Sequence, residues 1–366
     1  DKVKLLNSDD LDKYINNNVT FSNIREVIDN NKNLKQDEKD NLMTIIDKIK
    51  EKADYIDLKY LYQNCKSLKI TRNINKDENI LGLFNKSTTT INISCDDFHV
   101  FSHEVLHMTN LICLKKGDTF ISNKDSWDEA EFKPINEGFT EWFNNYLFND
   151  EIEAYKITSS DINIFKYILN YSDKDLIKMF INGNSKVFSD KLKKYMNESE
   201  FNELMKIYLK EDENQENITI DDITKKYSIL LNACIKSRKD SFDVNDLYVI
   251  QNLLHDSYKN YNYLKNDYDS LFQLKKYIFN ESIKKIENVN NEIILSNYAY
   301  IGDVISYCNF DNMYLIHSKD NNTGYQVYML GEKYIDIDNK INYYVDDEFI
   351  SYDDKNYNEI VPLNSL

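Results

Sequence analysis

Apolar residues recur three and four positions apart through much of the chain, the spacing of one helical face, and this rhythm breaks twice. "SDDLDKYI" (8–15) opens with Ser/Asp capping chemistry, and "NLMTIIDKIKEKADYIDLKYLYQNC" (41–65) keeps helical spacing, so residues 1–70 are predicted to form an N-terminal helical segment. The first break follows at once. "ILGLF" (80–84) and "TTTINIS" (88–94), separated by "NKS", predict a β-hairpin. From Asp96 the helical period returns with Phe101, Val105, Met108 and Ile112 on one stripe, and Lys115, Lys116 and Gly117 suit its C-terminal end. The polar stretch from Lys115 to Lys133 reads as a loop, after which Pro134 opens a helix striped by Ile135, Phe139, Trp142 and Tyr146. Amphipathic helical stretches then alternate with Asn/Ser/Asp turns. Near residue 290 comes the second break, into short Tyr/Ile/Val runs such as "TGYQVYML" and "KINYYV". The chain is expected to be α+β, with a helical segment over 1–70, a mixed core over 71–150, a helical subdomain over 151–288 and a β-rich tail domain over 289–366.

Composition narrows the picture. A 42% hydrophobic fraction with 13% aromatics, over 366 residues, is enough for two or three packed subdomains and argues against disorder. A net charge of −17 with no compensating basic cluster argues against nucleic acid, and no apolar run reaches transmembrane length. The five cysteines are scattered without a C-x-x-C pair, so they read as reduced, mostly buried thiols. Seven glycines and two prolines among abundant Lys, Asn, Ile and Tyr suggest AT-rich coding. With a first residue Asp rather than Met, the expectation is a secreted or cell-surface protein of an AT-rich bacterium.

Two of only five histidines flank a glutamate in "HEVLH", residues 103–107. In H-E-x-x-H on a helix, His103 and His107 share a face and can aim two nitrogens at one metal, while Glu104 reaches a water as general base. A catalytic zinc needs a third protein ligand. The pattern that would place a third histidine six residues on fails, because Asn110 stands for its glycine and Cys113 for its ligand. "NEGFTEWF" (136–143) offers Glu137 instead, with Glu141 one turn on to hold the free nitrogen of a ligating histidine. Asp125, Asp128, Glu129 and Glu131 are rival ligands. His99 reads as surface or structural.

HEVLH followed by NEGFTE resembles the gluzincin metallopeptidases, the thermolysin-like clan, and the Glu-Gly-x-x-Glu form resembles its bacterial collagenase branch. "ILGLFNKSTTTINIS" is similar to the clan's edge-strand hairpin. The likeness spans about residues 75–150, with a longer loop from His107 to Glu137 than in thermolysin. It implies a zincin-like fold, a small mixed sheet with a zinc helix above a helical subdomain. It also implies that His103, His107 and Glu137 hold Zn²⁺, that Glu104 deprotonates the water, and that Gly82, Leu83 and Phe84 on the edge strand pair with an extended peptide or protein substrate. The clan's downstream oxyanion stabiliser would be His255 or, as second choice, Tyr155. The segment before His103 lacks a Gly-x-Met-Glu-Asn type sequence, which points to endopeptidase rather than aminopeptidase action. The alternative of a different class is a non-catalytic binding or surface protein that retains the fold.

Overall fold

Alternation of Lys2, Val3, Lys4 and Leu5 is enough to make the chain begin as a strand, β1 (Lys2–Leu6), where a helical segment was expected. In a computed structural model of the protein the described residues are 2–72, 81–150, 154–238, 244–261, Leu264, Leu274, Ile278 and five strand segments within 304–361. They form two compact units, Asp1–Glu213 and Asn214–Leu366, and the architecture is mixed α+β.

In the first unit β1 is followed by α1 (Ser8–Leu11), α2 (Phe21–Asn30), α3 (Gln36–Lys52), α4 (Lys59–Cys65) and β2 (Lys69–Thr71). The expected hairpin is present as β3 (Gly82–Asn85) and β4 (Thr90–Ile93), antiparallel, with Phe84 opposite Ile91. β2 pairs parallel to β4, so among the described residues β3 is an edge strand, in the order β2-β4-β3.

Helix α5 (Phe98–His107) starts as expected, with the Asp97 side chain capping His99 N, but stops at His107 instead of running on to Gly117. The reason is tertiary. Asn64, buried on α4, donates its amide to the carbonyls of Met108 and Leu111 at 3.0 and 2.9 Å, satisfying carbonyls that a continuing helix would need. The chain is thereby released into β5 (Cys113–Lys116) and β6 (Thr119–Asn123), a hairpin where the polar composition predicts only loop. Gly117 supplies the left-handed turn residue at φ 58°. β1 pairs parallel to β6, completing a second sheet in the order β1-β6-β5.

Helix α6 (Lys133–Phe148) carries Pro134 in its first turn and ends at Asn149 in the left-handed region, as its sequence dictates. Its apolar stripe is the core. Phe139 stacks on Phe180 at 4.0 Å, and Phe180 on Trp127 at 4.4 Å. Each such ring contributes roughly 1.5–3 kcal/mol on burial. α7 (Lys156–Leu169), α8 (Asp173–Asn182), α9 (Ser185–Leu192) and α10 (Glu198–Glu213) supply the facing side chains. Gly138 is required by the approach of α7, since a Cβ there would lie 2.7 Å from the Thr158 backbone.

The second unit contains α11 (Ile220–Ser237) and α12 (Val244–Tyr258), then β7 (Val304–Tyr307), β8 (Asn312–Lys319), β9 (Gly324–Ile335), β10 (Ile341–Ser351) and β11 (Tyr357–Val361). These strands form one antiparallel sheet, ordered β10-β9-β8-β7-β11, which matches the expected β-rich tail. No described helix is long and apolar enough to cross a membrane.

Candidate metal centre

Every residue of α5 from Phe101 to His107 is buried, and three of them are ionisable. A helix buried on all sides is ordinarily apolar, so these polar groups require partners. α6 supplies them. Glu137 Oε2 lies 3.1 Å from His103 Nε2 and 3.1 Å from His107 Nε2, so three donor atoms from two helices converge on one point. Glu141, one turn on and fully buried, accepts from His103 Nδ1 at 3.1 Å and from His99 Nε2 at 3.0 Å. His107 Nδ1 lies 3.3 Å from Thr140 Oγ1, which itself donates to the Asn136 carbonyl and so keeps a lone pair for the ring N–H.

This donor set fits a zinc ion. Zn–N and Zn–O bonds of about 2.0–2.1 Å in a tetrahedron place ligand atoms roughly 3.3 Å apart, close to the two 3.1 Å separations. Each histidine meets a second partner through Nδ1, the arrangement that leaves Nε2 as the ligating atom. Two imidazoles and one carboxylate leave a fourth position open.

Glu104 sits beside both the His103–His107–Glu137 cluster and the edge strand. Its Oε2 accepts the Phe84 N–H at 2.6 Å, and a Cβ on Gly82 would lie 2.8 Å from its Cγ and Oε1. The strand can reach the carboxylate only because residue 82 is glycine. Leu83, on the opposite face of β3, is 48% exposed. Tyr155 precedes α7 with φ 47°, and its ring stacks on His103 at 5.7 Å. A cleft of about 210 Å³ is lined by Gly82, His103, Glu104 and Tyr155 together.

The charges are strongly coupled. Burial by itself would lower the His103 pKa, but hydrogen bonds to Glu137 and Glu141 outweigh it and raise it to about 10. Burial would raise both carboxylates, yet the histidines hold Glu137 far below the usual range and Glu141 down to about 2. Burial pushes Glu104 up, opposed by His107 and His103. Tyr155 is driven upward by burial and by Glu137, Glu104 and other nearby carboxylates.

Of the residues singled out by sequence, His103, Glu104, His107, Glu137, Glu141, Tyr155, Gly82 and Phe84 come together here. His255 belongs to α12 of the second unit, where its ring meets Tyr258 edge to face at 5.4 Å. Among the described residues only Glu137 joins the two histidines as a third potential ligand. The rival Asp128 pairs with Lys86 at 2.5 Å. Cys113 lies on β5, outside the donor set.

His99, read from sequence as surface or structural, has a structural place here as a partner of Glu141, a role the spacing could have indicated. His99, His103 and His107 stand four apart, a ladder along one helical face. Asn136, Thr140 and Asn144 form a matching ladder on α6, and Asn144 donates to the His99 carbonyl at 3.2 Å. No protein-family model, curated protein or solved structure matches the chain.

Proposed function

We propose that the chain is a zinc-dependent peptidase of gluzincin type, acting as an endopeptidase on peptide or protein substrates. One observation carries the reading: Glu137 Oε2 is equidistant, at 3.1 Å, from the Nε2 atoms of the two histidines that flank Glu104. Zinc held by His103, His107 and Glu137 would polarise a peptide carbonyl and lower the pKa of a water toward about 7.

The chain's own residues have defined parts in this proposal. Glu104, kept from ordinary acidity by burial, takes the proton of the attacking water and delivers it to the leaving amine. Glu141 accepts from His103 Nδ1 and holds that ring in the tautomer that ligates through Nε2. The Tyr155 hydroxyl, its pKa raised, stays protonated at neutral pH, and with its ring stacked on His103 it is the donor assigned here to a developing oxyanion. An extended peptide would lie along the edge of β3, bringing its carbonyl beside Glu104.

Metal analysis of protein purified without added metal, beside His103→Ala and Glu137→Ala, tests the centre. One zinc per chain that both variants lose is the expected result. Glu104→Gln should keep its zinc and lose cleavage of a peptide library by about 10²–10⁴-fold. Zinc retained fully in Glu137→Ala would refute the ligand assignment. Unchanged biological function in Glu104→Gln would favour a non-catalytic binding protein.

A further inference from the structure

A second cavity in the first unit lies apart from the metal cleft. It measures about 590 Å³ and lies where α4, the start of β2, the β3–β4 turn and the β5–β6 hairpin meet. The chain carries 62 acidic residues, yet none of the described residues lining this cavity is acidic. Three lysines do line it, Lys69, Lys115 and Lys116, and among the described residues none is paired with a carboxylate. Two of them rest on aromatic rings instead: Lys115 Nζ lies 5.5 Å from the Phe120 centroid and Lys116 Nζ 4.4 Å from that of Tyr14. Lysines on an edge strand can serve simply to discourage strand pairing, but that reading leaves Lys69 and the rest of the lining unexplained.

The rest of the lining is rich in hydroxyls. Thr89 is 9% exposed, and its hydroxyl, open to solvent, has no hydrogen-bond partner among the described residues. Its backbone is strained, at φ 50°, where a β-branched residue is rarely found, and the carbonyl is held there by Lys69 N–H at 3.0 Å. Ser67, Ser87 and Thr88 add further hydroxyls. Three ammonium groups without carboxylate partners among the described residues, lining one cavity with several hydroxyls, are an arrangement suited to an anion.

We infer that this cavity binds a small organic phosphate of about nucleotide size. Lysine acts as a strongly hydrated point charge and suits phosphate, and none of the described lining residues is an arginine whose fork would select a planar carboxylate. The volume greatly exceeds that of a lone inorganic ion and falls within the range of organic-ligand pockets. The Tyr14 and Phe120 rings provide apolar surface for the organic part. The inference does not depend on the peptidase reading.

Calorimetric titration of the full chain with ATP, AMP, pyrophosphate, inorganic phosphate and citrate, at fixed ionic strength, tests it. The nucleotides should bind saturably and more tightly than inorganic phosphate or citrate. The exposed-lysine variant Lys69→Met/Lys115→Met/Lys116→Met should weaken that binding by about tenfold or more, while Lys4→Met/Lys32→Met/Lys50→Met changes it less than about twofold. Equal weakening in both triple variants would mean non-specific charge attraction and overturn the inference. Binding that survives the cavity variant but vanishes in His103→Ala would place the anion at the metal centre, and likewise overturn it. So would the absence of saturable heat with every probe at millimolar concentration. Pyrophosphate binding as tightly as ATP would remove the organic part from the assignment.

Discussion

Replacing Gly82 by alanine adds one methyl group, and the structure states what that methyl meets. It would lie 2.8 Å from Glu104 Cγ, from Glu104 Oε1 and from Val100 Cγ1, about 0.6 Å inside the 3.4 Å at which ordinary contact begins. The Gly82 backbone is not in the left-handed region, so the conflict is purely one of space. Relief requires either β3 or the Glu104 side chain to move, and both are tied by the 2.6 Å bond from Phe84 N–H. Overpacking of this kind costs about 1–3 kcal/mol of stability. A displacement of several tenths of an ångström at a general base lowers turnover by up to roughly 10²-fold. None of the three proposed ligands is touched, so the zinc content expected of wild type, one per chain, should be unchanged. The assay is therefore threefold: metal content, denaturant midpoint, and cleavage rate of a peptide that wild type hydrolyses. Full activity at wild-type stability would refute the close approach of the edge strand to Glu104. Loss of zinc would show that the methyl disturbs α5 itself.

Other consequences follow from the same geometry. Glu141→Gln keeps the shape but loses the carboxylate that accepts from both His103 and His99, and zinc affinity, measured by competition with a chromophoric chelator, should fall about 10–100-fold. The raised His103 pKa means that the metal-free site holds a proton at neutral pH that zinc must displace. Calorimetry in buffers of different ionisation enthalpy should therefore give about one proton released near pH 8, vanishing above pH 10. In the metal-free chain the same ion pairs set the stability profile. The His103 contribution is fully present below its unfolded value of 6.5 and is lost as pH rises through about 10, whereas the Glu141 contribution is present above 4.5 and is lost as pH falls through about 2. Denaturant titrations across pH, with Glu141→Gln as reference, measure both limbs. Tyr155→Phe should lower kcat about 10²–10³-fold with little change in KM, while His255→Ala should leave both unchanged; the reverse outcome would move the oxyanion donor to the second unit.

What was legible in the sequence was whatever depends on short-range periodicity. The α-helical repeat alone places His103 and His107 on one face of α5 and Glu137 and Glu141 on one face of α6, and the spacing of "ILGLF" and "TTTINIS" alone implies the hairpin. Even His99 belongs to this class, being one more step of the same ladder. Tertiary structure decided matters that hinge on residues distant along the chain. Several carboxylates lie downstream of His107, and only the packing of α6 on α5 selects Glu137 as the one that meets both imidazoles. The end of α5 is set by Asn64, more than forty residues earlier, because its amide captures the carbonyls of Met108 and Leu111. The lysine-lined cavity could not be foreseen at all. Its walls come from four separated segments, each unremarkable by composition, and it is their juxtaposition that leaves positive charge without partners. Backbone periodicity determines which side chains share a face; which faces meet depends on the burial of apolar surface contributed by the whole unit.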